Sequence, residues 1–287
     1  MSCESPVKIT VYEAEGFIEY VLMGIGSKGK DILAQLPSLS ELRDKNGLKS
    51  ILICDDSAFR YNDYCYLYPR NMITNELQQA DMLFCLVNLD CQDDYESVCN
   101  IVQLSKKTNK SLVSVCVYNG NSSREHIDRL KGLFTTIIEL GGEDSPLTPW
   151  LFVTNMEHWG FVSVDFADII SVIKEMAIAH YYQFEIPSIE HLSGELSQLK
   201  KVLLRNECSN SDKNIALGLF EIAPSVGLED LNTALTALYT DEYIPDGGLF
   251  NYIVWSMHWN DALSDKSMRV SLLYGEGLNR GNQNEQN

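Results

Sequence analysis

The sequence predicts an α/β protein. A Rossmann-type parallel-sheet domain over residues 1–160 is followed by a smaller α+β domain over 161–278 and a disordered tail, 279–287. Three observations carry this. Short apolar runs of strand type alternate with amphipathic stretches through the first half, which is the rhythm of right-handed βαβ units. The first run passes into a helix through a glycine-rich turn, GIGSKG. At 287 residues, 45% of them hydrophobic and 10% aromatic, the chain has material for a large core and is too apolar to be disordered.

The elements follow in order. The apolar stretch 17–23 is a strand, and the periodicity after it predicts a helix to about Leu36. Residues 50–54 form a second strand and 82–87 a third, the latter leading into an amphipathic helix over about 95–106. Strand 112–117, helix 124–134 and strand 135–140 continue the alternation. From Asp165 the residues Phe166, Ile169, Ile170, Ile173, Met176 and Ala177 recur at helical spacing, predicting one long helix ending near Tyr182. Pro187 breaks the pattern, a helix is expected over 189–204, and ECSNSDKN (207–214) is a loop. Strand 215–222, helix 228–238, and strands 250–257 and 268–274, joined by the polar turn HWNDALSDK, complete a unit with antiparallel pairing.

The formal charge of −18 sets the chain against nucleic acid and anionic membrane surfaces. The basic groups Lys106, Lys107, Lys110 and Lys200, Lys201, Arg205 read as solvated helix faces. Eight cysteines show neither CxxC nor zinc spacing, and Cys54, Cys85 and Cys116 lie in apolar runs, as suits a reducing cytoplasm. MSCESPVKIT carries no signal segment, and no run is long enough to span a membrane.

Three stretches are candidates for chemistry. Gly24, Gly26 and Gly29 fit GxGxxG, whose glycines let backbone amides approach a phosphate at a helix N-terminus, with Asp55 or Asp56 as the acid that pattern wants on the second strand. The same glycines also suit a plain tight turn. Second, the 82–87 strand runs into Asp90, Asp93, Asp94 and Glu96 at its carboxyl end, where open α/β sheets bind ligands. Asp93 to Glu96 spells D-x-x-E, a capping box that satisfies the helix with its own side chains; a cation site is the other reading. Third, Asp165 and Asp168 share one face at a helix start, with Ser163 as a candidate cap. Five scattered histidines have no ligand spacing, and His180 is expected to pack along its helix.

Four segments together resemble the FtsZ/tubulin superfamily, FtsZ in particular. GIGSKGKDIL is similar to its glycine-rich first loop and helix; ADMLFCLV to the strand before its phosphate loop, continuing to SLVSVCV; GFVSVDFADI to its synergy loop; and NDALSDKSMRVSLLYGEG to the end of its C-terminal domain. The resemblance implies head-to-tail subunits in which the synergy-loop acids of one, here Asp165 and Asp168, meet the GTP of the next. Ser163 stands where the family has Asn. The departures bear on the nucleotide. DCQDDYE (90–96) replaces the family's glycine–threonine run, with side chains where glycine would leave amides open and the wrong charge for phosphate. Ser27, Lys28 and Lys30 replace glycines; 57–80 is short for the γ-phosphate loop, and 145–160 is short for the central helix. The tail lacks the family's terminal peptide.

The expected function is therefore that of a pseudo-GTPase without cofactor or metal. It would act in cell division or the cytoskeleton by contact with FtsZ, another tubulin-like protein or itself, and not with nucleic acid or membrane. Gly24, Gly26, Gly29 and Asp93 are then remnants of a cofactor site. The alternative is an atypical GTP hydrolase using magnesium on the acids, with Lys28 and Lys30 on the phosphates.

Overall fold

Alternate residues of the central strands enter two different cores, which explains why those strands read as unbroken apolar runs. Tyr20, Leu22, Met82, Phe84 and Leu86 face one side of the sheet; Val21, Met23, Leu83, Cys85 and Val87 face the other. A strand covered on both sides by helices has no face for polar residues. The computed structural model describes residues 18–33, 48–54, 66–67, 77–118, 123–140, 145–157, 162–208, 213–239 and 248–277.

The strands are β1 (Tyr20–Ile25), β2 (Leu48–Cys54), β3 (Tyr66–Leu67), β4 (Met82–Val87), β5 (Val113–Tyr118), β6 (Thr136–Glu139), β7 (Ile178–Ile186), β8 (Asn214–Ile222), β9 (Tyr252–Trp259) and β10 (Met268–Glu276). The helices are α1 (Gly26–Leu33), α2 (Gln92–Thr108), α3 (Arg124–Leu133), α4 (Thr148–Glu157), α5 (Phe166–Glu175), α6 (Leu192–Arg205) and α7 (Leu228–Leu238). All ten strands form one sheet, in the order β3-β2-β1-β4-β5-β6-β7-β10-β8-β9. From β3 to β7 every pairing is parallel. One core unites α1, α4 and α5 on one side of the sheet; α2 and α3, then α6 and α7, cover the other.

The two parts of the sheet join where β7 pairs parallel with β6 and antiparallel with β10. Thr136 fixes this seam: its buried hydroxyl donates to the carbonyls of Ile173 at 2.5 Å and Met176 at 2.8 Å, tying the end of α5 to β6. The stretch preceding α5 holds a helix, α4, of only 10 residues.

Two expectations need correction. The predicted helix from Asp165 to Tyr182 ends at Glu175, and the residues from Ile178 onward form β7. The helical spacing stops at Ala177, after which β-branched and aromatic residues pair across two neighbouring strands. His180 accordingly sits on a strand. The second concerns the last two strands, which do not pair with each other: β8 lies between them, parallel to β9 and antiparallel to β10. The turn joining them crosses the end of β8, held by Asn260 N–H donating to the Ile222 carbonyl at 2.9 Å. The predicted tail, 279–287, and Asp55 and Asp56 lie outside the described residues.

Candidate functional site

The strand order reverses direction between β1 and β4, so their carboxyl ends flank the crevice where such sheets bind ligands. Both glycine-rich and acidic stretches converge here. The backbone turns from β1 into α1 at Gly26, whose φ of +68° is left-handed, a conformation that costs an L side chain about 1–2 kcal/mol. Gly24 and Gly29 serve a different need. A Cβ at Gly24 would stand 2.6 Å from the Gly29 carbonyl oxygen, and one at Gly29 would stand 2.7 Å from the Gly24 carbonyl carbon and 2.9 Å from the Leu86 carbonyl oxygen. These two glycines let helix and strand backbones touch, so with the left-handed Gly26 each glycine of GxGxxG has a structural reason.

The acids do not share one role. The capping box is not formed: the N-cap of α2 is Cys91, with no side-chain cap hydrogen bond, and Asp93 and Asp94 lie inside the first turn. Because the Cys91 carbonyl already accepts the Tyr95 N–H at 3.0 Å, the helix starts two residues too early for Asp93 to cap it. Glu96 instead accepts a hydrogen bond from the Gln92 side chain at 2.9 Å. Asp90 and Asp93 are exposed.

Asp94 alone turns inward. A Cβ on Gly26 would coincide with its carboxylate, so that group lies directly against the Gly26 backbone. It therefore sits where the N-termini of α1 and α2 meet and where the positive ends of both helix dipoles favour an anion. Beside it, the buried Tyr95 ring stacks on His126 with centroids 3.9 Å apart, under the Arg129 guanidinium at 5.7 Å, locking α2 to α3. Nothing in the spacing of the acids distinguishes Asp94 from its neighbours.

Asp165 and Asp168 lie at the opposite end of the sheet. The Phe166 ring meets Tyr20 edge-on, with centroids 6.2 Å apart and planes at 88°. Tyr20 opens β1 whereas Gly26 follows its end, so the two sites are separated by six residue steps, about 20 Å. Acids and glycine turn belong to different ends of the molecule, and neither reaches the other within one chain. Asp165, not Ser163, is the N-cap of α5, accepting from the Ala167 N–H at 3.0 Å. Asp168 is exposed and makes no side-chain hydrogen bond or ion pair among the described residues. Hence Asp165→Ala should cost about 1 kcal/mol in urea unfolding, Asp165→Ser much less, and Asp168→Ala almost nothing.

Among the described residues no three His, Cys, Asp or Glu side chains gather so as to hold a metal ion, and no helix is long and apolar enough to cross a membrane. The side chains of Lys28 and Lys30 are outside the described set.

The row of partners Tyr118, Glu139, His180 and Tyr274 crosses the seam. His180 Nδ1 is 3.7 Å from a Glu139 carboxylate oxygen, which favours the imidazolium, but burial dominates and lowers its pKa to about 4. The unfolded chain then binds a proton near pH 6.5 that the folded chain refuses until about pH 4, so stability falls as pH drops through that window, by up to about 3 kcal/mol. Glu139, its pKa raised by burial, opposes this with stability that fades as pH rises past the ordinary carboxylate range. Urea unfolding of wild type and His180→Gln at pH 4.5 and 7 isolates the histidine: the variant should lose most of the slope.

No family model matches the chain, and no curated protein matches it. Solved structures do. A mutant FtsZ from M. jannaschii superposes with a TM-score of 0.65 at 17% identity, covering 91% of both chains. GDP-form protofilaments of TubZ from Bacillus thuringiensis serovar israelensis give 0.57 at 10% identity, covering 91% of this chain and 86% of that one. CetZ from Methanosaeta thermophila gives 0.54 at 13% identity, covering 90% and 86%.

Proposed function

We propose that this chain of FtsZ/tubulin-like fold is a cytoplasmic pseudo-GTPase that works by protein contact, docking head to tail on an FtsZ- or tubulin-type subunit or on another copy of itself. The observation that carries the reading is the Asp94 carboxylate lying on Gly26. The anion seat at the switch point is taken by the chain's own side chain, and Asp90 and Asp93 add charge that repels a triphosphate. A nucleotide would have to expel Asp94 and overcome that repulsion.

At the far end, Asp165 and Asp168 are both exposed, the first capping α5 and the second without a side-chain partner among the described residues, which supports a contact with another molecule there. Such a subunit has one competent end and one closed end. Added to a growing filament it would occupy the last nucleotide-bearing end and offer no seat to the next subunit, shortening or regulating the polymer. Similar structures have been described as an FtsZ dimer and as TubZ protofilaments, which supports a partner of the same architecture.

Two measurements test this. Calorimetric titration with GTP, with and without magnesium, should give no saturable heat; stoichiometric binding would refute the pseudo-GTPase reading. Co-pelleting with an FtsZ polymer should show shortened filaments with wild type and with Gly132→Ala, a change in α3 away from the docking end, but docking weakened by about tenfold in Asp168→Ala. If filament length and GTP turnover ignore wild-type protein, and sedimentation shows no concentration-dependent self-association, the contact role fails.

A further inference from the structure

Over the sheet seam, beside α3 and the end of α6, the described residues line a cavity of about 440 Å³. Its floor is His180 and the start of β7; Lys131 of α3 stands on one wall, and Cys208 and Lys213, which follow α6, stand on the other. It lies four strands from β1, about 19 Å across the sheet from Gly26, and no part of it belongs to the nucleotide-type crevice or to the Asp165 end.

We propose that this cavity binds a small organic anion, its carboxylate or phosphate group held by Lys131 and Lys213 and its body hydrogen-bonded to His180.

Four observations support it. The volume falls in the range of small-molecule sites, about 300–1,000 Å³. His180 is only 9% exposed and lines the cavity, with a Glu139 carboxylate oxygen 3.7 Å from its Nδ1. Held neutral by burial, with a pKa near 4, the ring offers one donor and one acceptor. Cys208, pushed up to about 11, is a neutral thiol and adds no charge to the wall.

The two ammonium groups are lightly engaged. Lys131 pairs with Asp128 at 3.1 Å and Lys213 with Glu276 at 3.6 Å, and each lysine is more than a third exposed. Pairs of this kind contribute little, so an entering anion can take over either lysine at small cost. Glu207 and Glu276 also line the opening. Their charge disfavours a polyanion, which limits the ligand to a single anionic group on a small polar body.

The test uses NMR of the His180 ring, assigned by its loss in His180→Phe, during titration with lactate, glycerol phosphate and neutral glycerol. At least one anion should shift the His180 signals saturably while the alcohol leaves them in place. Which anion saturates separates a carboxylate from a phosphate ligand. Lys131→Ala and Lys213→Ala, both at partly exposed positions that leave the core intact, should each weaken binding about tenfold. Absence of saturation with both anions overturns the proposal, as does equal affinity in the double lysine variant.

Discussion

Gly24→Ala should destabilise the protein by about 3 kcal/mol or more in urea unfolding, the upper end of what overpacking costs. The new methyl group would lie 2.6 Å from the Gly29 carbonyl oxygen and 2.7 Å from Leu33 Cδ1. Leu33 is the end of a side chain and can turn aside. The Gly29 carbonyl cannot, because it belongs to the helix backbone that β1 packs against. Gly29→Ala should match it, since its methyl meets backbone of β1 and β4 together. The control is Gly132→Ala in α3, where no described residue lies within 4 Å and alanine should stabilise by about 0.5–1 kcal/mol. If Gly24→Ala is as harmless as Gly132→Ala, the packing account of the glycine pattern is wrong.

Trp150→Ala should cost about 3–5 kcal/mol while leaving unfolding a single transition. Trp150 is 0% exposed, the largest fully buried side chain among the described residues, and sits in a core that takes residues from β1, β4 and β5 and also from β8 and β10. Because that core and the sheet run unbroken across the seam, loss of the indole weakens both halves together. Its Nε1 donor has no hydrogen-bond partner among the described residues, so alanine removes packing without breaking a hydrogen bond there. Tryptophan fluorescence and far-ultraviolet circular dichroism should give coincident urea curves in wild type and variant. Two separated transitions would mean that the seam is not a cooperative contact.

These two sites also show where legibility ends. The β4 strand was readable to the residue, Met82–Val87, because a strand buried on both faces is a continuous apolar run. Helix α7 was equally plain at Leu228–Leu238, where apolar periodicity follows Gly227. The α5–β7 boundary was not. Helical spacing extends through Ala177, and only the neighbours β6 and β10 turn IAHYYQFEI into a strand. The place of β9 was hidden for a related reason: a short polar turn before β10 reads as a hairpin, yet β8 takes the position between them. The seam cavity had no local signature at all, because Lys131, His180 and Lys213 come from separate elements.

By itself the sequence determined the alternating α/β order, the covered central strands, the glycine turn and the acids at the end of β4, all of which depend on residues near one another in the chain. It also placed Asp165 and Asp168 at a helix start. Only the tertiary structure decided which acid turns inward, by bringing α2 against α1 so that Asp94 rests on Gly26, and which acids lie beyond its reach, by carrying α5 to the other end of β1. The physical reason is range. Periodicity and capping act over a few residues, whereas the contact of Asp94 with Gly26 depends on two helix termini that the chain separates by more than sixty positions and the sheet brings together.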